Sequence, residues 1–499
     1  MDTTAQSDKA ETGIPGLDDV LGGGLSRGHV FLLEGEPGSG KTTIALQFLL
    51  AGAAAGETCL YVTLSETERE LRAGAASHLW TLSHHIEICE LLPPDSLLEG
   101  GKHQTLLYSS DLELGETTKE IFDAVRRVNP SRLIIDSLSE IRLLAQSSLR
   151  YRRQILTIKH YFARLNTTVL MLDDLTSEAT DKTVHSIAHG VIQVQQSSPD
   201  YGAERRRLRV LKYRGQKYRG GYHDMTIVTG GVNVFPRLIS AEHRKLFDRV
   251  TISTGLAPFD SLLGGGIDAG SGTLIIGPSG TGKSLIAIIF ALAAVRRGEK
   301  AALFIFDEEL GLLFDRMKGL GVDLQSLRDR GNLRIEQVDA AELSPGEFAH
   351  RVRRRVDQEN IKTVIIDSLN GYQASMPAEN SLILHMHELL QYLNRQGAAT
   401  FLTMAQHGLV GEMRAPADVT YLADTVILLR YFEAEGHVRR AMSCIKKRTG
   451  LHESTIREYR IGPSGLSVGE PLTAFQGVLR GVPTLLDRTQ RTINGQGMG

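Results

Sequence analysis

Two short stretches carry the residue types that hold phosphate. GEPGSGKT runs from Gly35 to Thr42, and GPSGTGKS from Gly277 to Ser284. In G-x-x-x-x-G-K-[ST] the glycines let the backbone wrap so that several N–H groups point at phosphate oxygens. The helix that follows adds its positive end. Lys41 and Lys283 are placed to reach the terminal phosphates of a nucleotide, and Thr42 and Ser284 to ligate Mg2+. A glycine-rich structural turn is the bland alternative, but each loop follows an apolar run and opens a helical pattern. RLIID and TVIID end at Asp136 and Asp367, the usual source of a second metal-side carboxylate, or else simple strand-end turns. A base that orients an attacking oxygen is expected at the strand end after the loop helix. FIFDEEL offers Asp307 and Glu308 there, and YVTLSETE offers Ser65 and Glu66. These acids equally suit a solvated helix start, where carboxylates complement the dipole.

The elements that position these residues occur twice. TGIPGLDDVLGGGLSRG starts at Thr12 and TGLAPFDSLLGGGIDAG at Thr254, the interval that also separates Gly35 from Gly277. IIDS recurs, and KYRG at Lys212 has a late counterpart in KKRTG at Lys446. Four features in one order mean a duplicated domain. Within each half, short β-branched runs alternate with helical patterns, which predicts parallel strands with crossover helices. The expected fold is α/β: two tandem RecA-like P-loop domains, each a mostly parallel twisted sheet flanked by helices. The expected boundaries are 1–240, 241–470 and a C-terminal regulatory tail over 471–499, with the join near LISAEHRKLFDRV, residues 238–250. TINGQGMG at the end reads as flexible.

Composition sets limits. The chain has 499 residues, 41% hydrophobic and 23% charged, with net charge -2. That balance argues against coating nucleic acid through bulk charge. Three cysteines show no metal-type spacing and fit a reducing compartment. The N-terminus has no apolar signal region, and LIAIIFALAAV (285–295) is too short to span a membrane, so a cytoplasmic protein is expected. RVRRRV at Arg351 reads as a solvated helix face, and His84–His85 have no metal-ligand partners at useful spacing.

TG-x-x-x-x-D-x-x-L-GGG, the P-loop, an acidic strand end, IIDS and a late K-x-R occur in both halves, and this combination resembles the KaiC family of double-domain ATPases related to RecA. The resemblance runs from about Thr12 to about Pro483. It implies a homo-hexamer with ATP and Mg2+ at subunit interfaces, a first ring that is mainly an ATPase and a second that adds serine/threonine autokinase activity. It implies nucleotide contacts at Ser39, Gly40, Lys41, Thr42, Thr43 and Ser77, with Arg206, Lys212, Tyr213 and Arg214 supplied by the neighbouring subunit. In the second half the matching positions are Ser279, Gly280, Thr281, Gly282, Lys283, Ser284, Leu285, Asp307, Leu320, Arg440, Lys446, Lys447 and Arg448. A basic residue given across an interface would stabilise the γ-phosphoryl transition state and couple turnover to assembly. ERRRLRVLKYRG (204–215) also reads as a charged edge strand. A KaiB-like or other regulatory partner is implied, with Ala474–Leu486 resembling the family's C-terminal regulatory segment; membrane binding and nucleic-acid binding are not.

The family pattern has paired glutamates at the strand end. Here Ser65 precedes Glu66, and because adjacent strand residues point opposite ways, Glu66 is not expected to replace the missing partner. Asp307 is one methylene shorter than the expected base. The acceptor pair becomes Thr420–Tyr421, which leaves one regular acceptor, Thr420. A DNA-dependent RecA-type motor and a nucleotide-gated scaffold with little chemistry are the competing readings.

Overall fold

The structure, a computed structural model, describes residues 8–91, 110–175, 183–199, 202–374, 379–406, 419–480 and 484–485. The chain forms two compact units, Met1–Arg237 and Leu238–Gly499.

The first unit opens with an antiparallel ribbon of β1 (Lys9–Ala10) and β2 (Leu25–Ser26). Its main sheet contains β3 (Val30–Gly35), β4 (Cys59–Thr63), β5 (Ile86–Glu90), β6 (Arg132–Asp136), β7 (Thr168–Asp174), β8 (Gly190–Ser197), β9 (Arg205–Tyr213), β10 (His223–Val228) and β11 (Gly231–Phe235). Across the sheet the order is β5-β4-β6-β7-β3-β8-β9-β10-β11. Pairings are parallel from β5 through β8 and antiparallel from β9 outward. The P-loop strand β3 is therefore central and buried on both faces, which its near-continuous apolar run requires.

Helices cover both faces. Helix 41–54 has apolar residues around its whole circumference and packs Ile44, Phe48 and Leu49 on one face. Helices 110–128, 138–145 and 148–162 cover the other through Ile121, Ile141, Ile155 and Ile158.

The second unit repeats the plan. β12 (Thr251–Ile252) and β13 (Ile267–Asp268) form the ribbon. The sheet contains β14 (Gly272–Gly277), β15 (Lys300–Ile305), β16 (Leu333–Gln337), β17 (Ile361–Asp367), β18 (Ala399–Ala405), β19 (Thr425–Ala434), β20 (His437–Lys447), β21 (Arg457–Gly462) and β22 (Gly465–Pro471). Its order, β16-β15-β17-β18-β14-β19-β20-β21-β22, is the same topology. β23 (Phe475–Gln476) pairs with β24 (Thr484–Leu485), and Val478 is buried against Phe432, Ala434 and Ala441. The terminal TINGQGMG lies outside the described residues.

The repeated TG-x-x-x-x-D motif has a local cause. Asp18 Oδ1 accepts from Thr12 N and Thr12 Oγ1, both at 2.9 Å. Asp260 Oδ1 accepts from Thr254 N at 2.9 Å and from Thr254 Oγ1 at 2.8 Å. The last glycine of each GGG lets the ribbon close: a Cβ on Gly24 would lie 2.5 Å from Ala10 O, and one on Gly266 2.3 Å from Ile252 O.

Two expectations change. β9 is not an edge strand, because β10 and β11 continue the sheet outside it. β4 ends at Thr63, so Ser65 and Glu66 lie beyond the strand and its alternation does not apply to them. The arginines of RVRRRV do lie on a surface helix, Pro345–Glu359, where Arg351 and Arg355 pair with Glu347 and Glu359 while Val352 and Val356 enter the core. Among the described residues, no helix is long and apolar enough to cross a membrane, and no cluster of three His, Cys, Asp or Glu could hold a metal on its own.

Candidate active sites

Each phosphate loop joins its strand to its helix through a left-handed glycine, Gly40 (φ 102) and Gly282 (φ 93). A side chain there would strike Ile227 in the first domain and Ile461 in the second. Glycine is required on both grounds, conformation and space. Lys41 Nζ donates to Gly35 O and Glu36 O, both at 2.9 Å. Lys283 Nζ donates to Gly277 O at 3.1 Å and Pro278 O at 2.8 Å. The lysines thus share the same two carbonyl partners at the ends of their own strands. Burial lowers the Lys283 pKa, with the Asp367 charge opposing. Ser39 and Thr281 are wholly buried under the loops. Thr281 Oγ1 donates to Pro278 O at 2.8 Å.

Asp136 and Asp367 end the strands one removed from the P-loop strand. The peptide after each is cis. Their partners differ. Tyr61 OH donates to Asp136 Oδ2 at 2.5 Å and also faces the Thr42 hydroxyl, so Thr42 and Asp136 converge on one phenol. Burial raises the Asp136 pKa, with the Tyr61 hydrogen bond opposing. Asp367 instead accepts from Thr403 Oγ1, on β18.

Strand register aligns the candidate bases. Leu64 N donates to Asp136 O as Phe306 N does to Asp367 O. Ser65 therefore matches Asp307, and Glu66 matches Glu308. Ser65 is exposed and Glu66 half-buried. Burial raises the Glu66 pKa, and the charges of Asp136, Glu70 and Asp174 add to it. Thr63 Oγ1 holds the turn by donating to Glu66 O at 2.7 Å and accepting from Glu66 N at 3.0 Å. In the second domain Asp307 accepts from Ser368 Oγ. Glu308 makes a two-armed ion pair with Arg316 on helix 310–319, at 3.0 and 2.6 Å. Gly74 occupies the matching place on helix 68–77, and a Cβ there would meet open space.

The late K-x-R pairs do the same local task in both domains. Lys212 Nζ donates to His185 O (2.6 Å) and Ala188 O (2.8 Å), and Arg214 to Ser186 O (2.7 Å). Lys446 Nζ donates to Thr420 O (2.9 Å) and Ala423 O (2.7 Å), and Arg448 to Tyr421 O (2.9 Å). Both pairs pin the segment that leads into the strand beside the P-loop. Lys447 Nζ reaches back to Leu263 O at 2.7 Å and Gly266 O at 3.0 Å. Tyr213 is buried, its hydroxyl bonded to Gly24 O and Ser26 N, and its ring edge-on to Phe31. Arg206 pairs with Glu204 at 2.7 Å, and Arg440 lies 5.7 Å from the Tyr431 ring. Ser77 and Leu320 sit at the far ends of helices 68–77 and 310–319, away from the loop-facing ends. Thr420 is half-buried and Tyr421 exposed.

Four residues absent from the sequence reading now join the sites: Tyr61, Thr403, Arg316 and Asp174. Asp174 had a signal, since TTVLMLDD ends in acid as RLIID does. Asp174 Oδ1 lies 2.7 Å from Lys41 Nζ. Arg316 had none, because Glu308 precedes its helix and no fixed spacing marks the pair.

The family model described as "ATPase: KaiC" matches residues 10–239 and again 252–473. The chain is similar to "Circadian clock protein KaiC3" of Synechocystis sp., 27% identical over 95% of this chain and 94% of that protein. It is also similar to "Circadian clock oscillator protein KaiC" of Thermostichus vulcanus, 26% identical over 98% and 94%, and of Parathermosynechococcus lividus, 27% over 96% and 88%. Two domains of one RecA-like topology, each matched along its length, lead to one conclusion: this chain belongs to the KaiC family of double-domain ATPases.

Proposed function

We propose that the chain binds and hydrolyses ATP with Mg2+ as a cytoplasmic homo-hexamer, and that its second domain adds serine/threonine autokinase activity directed at Thr420. It would serve as a signalling or timing module read by a regulatory protein partner. One observation carries the reading: both P-loop lysines are held by the same two strand-end carbonyls, each beside a strand-end aspartate.

The oxygen donors suit a hard cation. Thr42 with Asp136, and Ser284 with Asp367, would hold Mg2+, which supplies charge neutralisation to the phosphates when bound. Backbone N–H groups of Ser39–Thr43 and Ser279–Leu285 cradle the phosphate oxygens, and Lys41 and Lys283 orient the terminal phosphates. Glu66 orients the attacking water in the first domain and takes its proton. Its raised pKa suits that task. Asp307 and Glu308 do so in the second for water or for the Thr420 hydroxyl. Arg214 and Arg448 would reach a neighbouring subunit's nucleotide; Arg448 is 53% exposed. Arg206, Lys212 and Tyr213, and in the second domain Arg440, Lys446 and Lys447, would line the same nucleotide, while Lys212, Lys446 and Lys447 also donate to backbone carbonyls of their own domain.

The test is phosphopeptide mass spectrometry and ADP release after incubation with Mg·ATP, for the unmodified chain, Thr420→Ala and Lys283→Ala. Phosphate on Thr420 that is lost in both variants is the expected result. ATP consumption with no phosphate on the protein would remove the kinase assignment and leave an ATPase. Stimulation by single-stranded DNA would instead favour the DNA-dependent motor.

A further inference from the structure

An ammonium has three N–H donors. Lys41 uses all of them: Gly35 O and Glu36 O at 2.9 Å, and Asp174 Oδ1 at 2.7 Å. Lys283 makes the two carbonyl bonds, and among the described residues no carboxylate pairs with it. One position accounts for the difference. Gly35 on β3 lies opposite Asp174 on β7, whereas Gly277 on β14 lies opposite Ala405 on β18. The first domain has a carboxylate where the second has a methyl group.

We propose that Asp174 is a specificity-determining residue of the first nucleotide site, competing with the terminal phosphate of a nucleoside triphosphate for the third N–H of Lys41. The inference rests on the reading of both loops as nucleotide sites. Its consequence is that the first site distinguishes triphosphate from diphosphate less sharply than the second.

One N–H donor is shared between Asp174 and a bound phosphate. The two carbonyl bonds anchor Lys41 to its own loop, so only the third N–H is available to a ligand. The Lys41 side chain is 8% exposed and Asp174 32%. A γ-phosphate must displace the carboxylate or share the ammonium with it, and either way two anions approach in a site where water screens them poorly. A diphosphate reaches that ammonium through its β-phosphate alone, without the added charge of a γ-phosphate, and meets less of the repulsion. Asp174 also adds to the negative field that raises the carboxyl pKa values of Glu66 and Asp136. Asp174 and Asp136 thus share the charge of a single ammonium in the first domain.

The test uses the full chain carrying Lys283→Ala, so that the first loop is the one under study, with ADP and the slowly hydrolysed analogue ATPγS in Mg2+ buffer at equilibrium. Asp174→Asn keeps the side chain's shape and removes its charge. It should tighten ATPγS by about tenfold and ADP by less than about threefold. The reciprocal change, Ala405→Asp in a Lys41→Ala chain, should weaken ATPγS at the second site by about tenfold, which keeps the idea testable if one variant folds poorly. An unchanged ratio, equal tightening of both nucleotides, or weaker ATPγS binding in Asp174→Asn overturns the proposal; the last would make Asp174 a supporting ligand. If the Lys283→Ala chain binds no nucleotide that Lys41→Ala removes, the nucleotide-site reading itself fails. That outcome is distinct from a binding site whose selectivity ignores Asp174.

Discussion

The two phosphate loops hold their lysines in the same way, yet each site has one working part restrained where the other does not. In the first domain the restraint falls on the lysine, through Asp174. The raised pKa of its candidate base, Glu66, comes from burial and like charges. In the second domain the restraint falls on the candidate base, because Glu308 is paired with Arg316, while Lys283 keeps a donor for phosphate. Duplication preserved the topology and the loop, and divergence changed single positions around it: Ala405 for Asp174, Arg316 for Gly74. Such exchanges alter the charge beside the loop lysine or the candidate base without disturbing the core. Among the described residues, the first domain thus pairs its lysine with a carboxylate, and the second pairs its candidate base with a guanidinium.

The largest test of that contrast is removal of each base. Glu66→Gln should lower first-domain ATP hydrolysis by about a hundredfold or more, the usual worth of a positioned base. Glu308→Gln should cost the second domain much less, about threefold, because Asp307 stands beside it as a second candidate base. ADP release measured in Lys283→Ala and Lys41→Ala backgrounds separates the two sites; equal losses would break the comparison.

Next in size is a pH effect that the domains should share. His223 in the first domain accepts from Arg237 N at Nδ1 and bonds Arg219 O through Nε2, both at 2.9 Å, so only the neutral ring satisfies both. Burial lowers its pKa to about 4. His385 in the second domain is likewise lowered to about 4 by burial, with Tyr372 OH at 2.6 Å from Nδ1. Both folded values lie below that of an unfolded histidine, so the unfolded chain binds more protons between pH 4 and 6.5. Stability is complete above that window and is lost as pH falls through it, by about 2 kcal/mol per histidine at pH 5. Calorimetry between pH 5 and 7 should show both domains shifting together. A shift confined to one would mean that only one ring is held neutral.

The smallest effect sharpens the contrast most. The Arg316–Glu308 pair is partly exposed, with side chains 39% and 28% accessible, so it holds the base by no more than about 1 kcal/mol. Arg316→Ala should raise second-domain turnover two- to threefold, and Gly74→Arg should lower first-domain turnover by a similar factor. Single-turnover ADP formation checks both, and unchanged rates would show that the ion pair does not limit the base.

Much of this was legible in the residues alone. The tandem architecture follows from the repeated order of Thr12, Gly35 and Asp136 with Thr254, Gly277 and Asp367, because a short-period apolar pattern followed by a glycine loop has few ways to fold. The lysines and strand-end aspartates were visible for the same reason: their place is set by local chain geometry, within a strand and the turn that ends it. What surrounds them was not. The alternation rule misplaced Glu66 because β4 stops at Thr63 and a hydroxyl-held turn reorients the chain. The charged run at 204–215 was read as an edge, but its neighbours in the sheet come from strands later in sequence. Asp174, Tyr61 and Arg316 meet their partners across strands or past a helix start, at separations no motif encodes. The sequence was enough to specify the loops and the fold that carries them. Which charges face each loop was decided only by tertiary packing, since strand register and helix orientation bring together residues that the chain keeps apart.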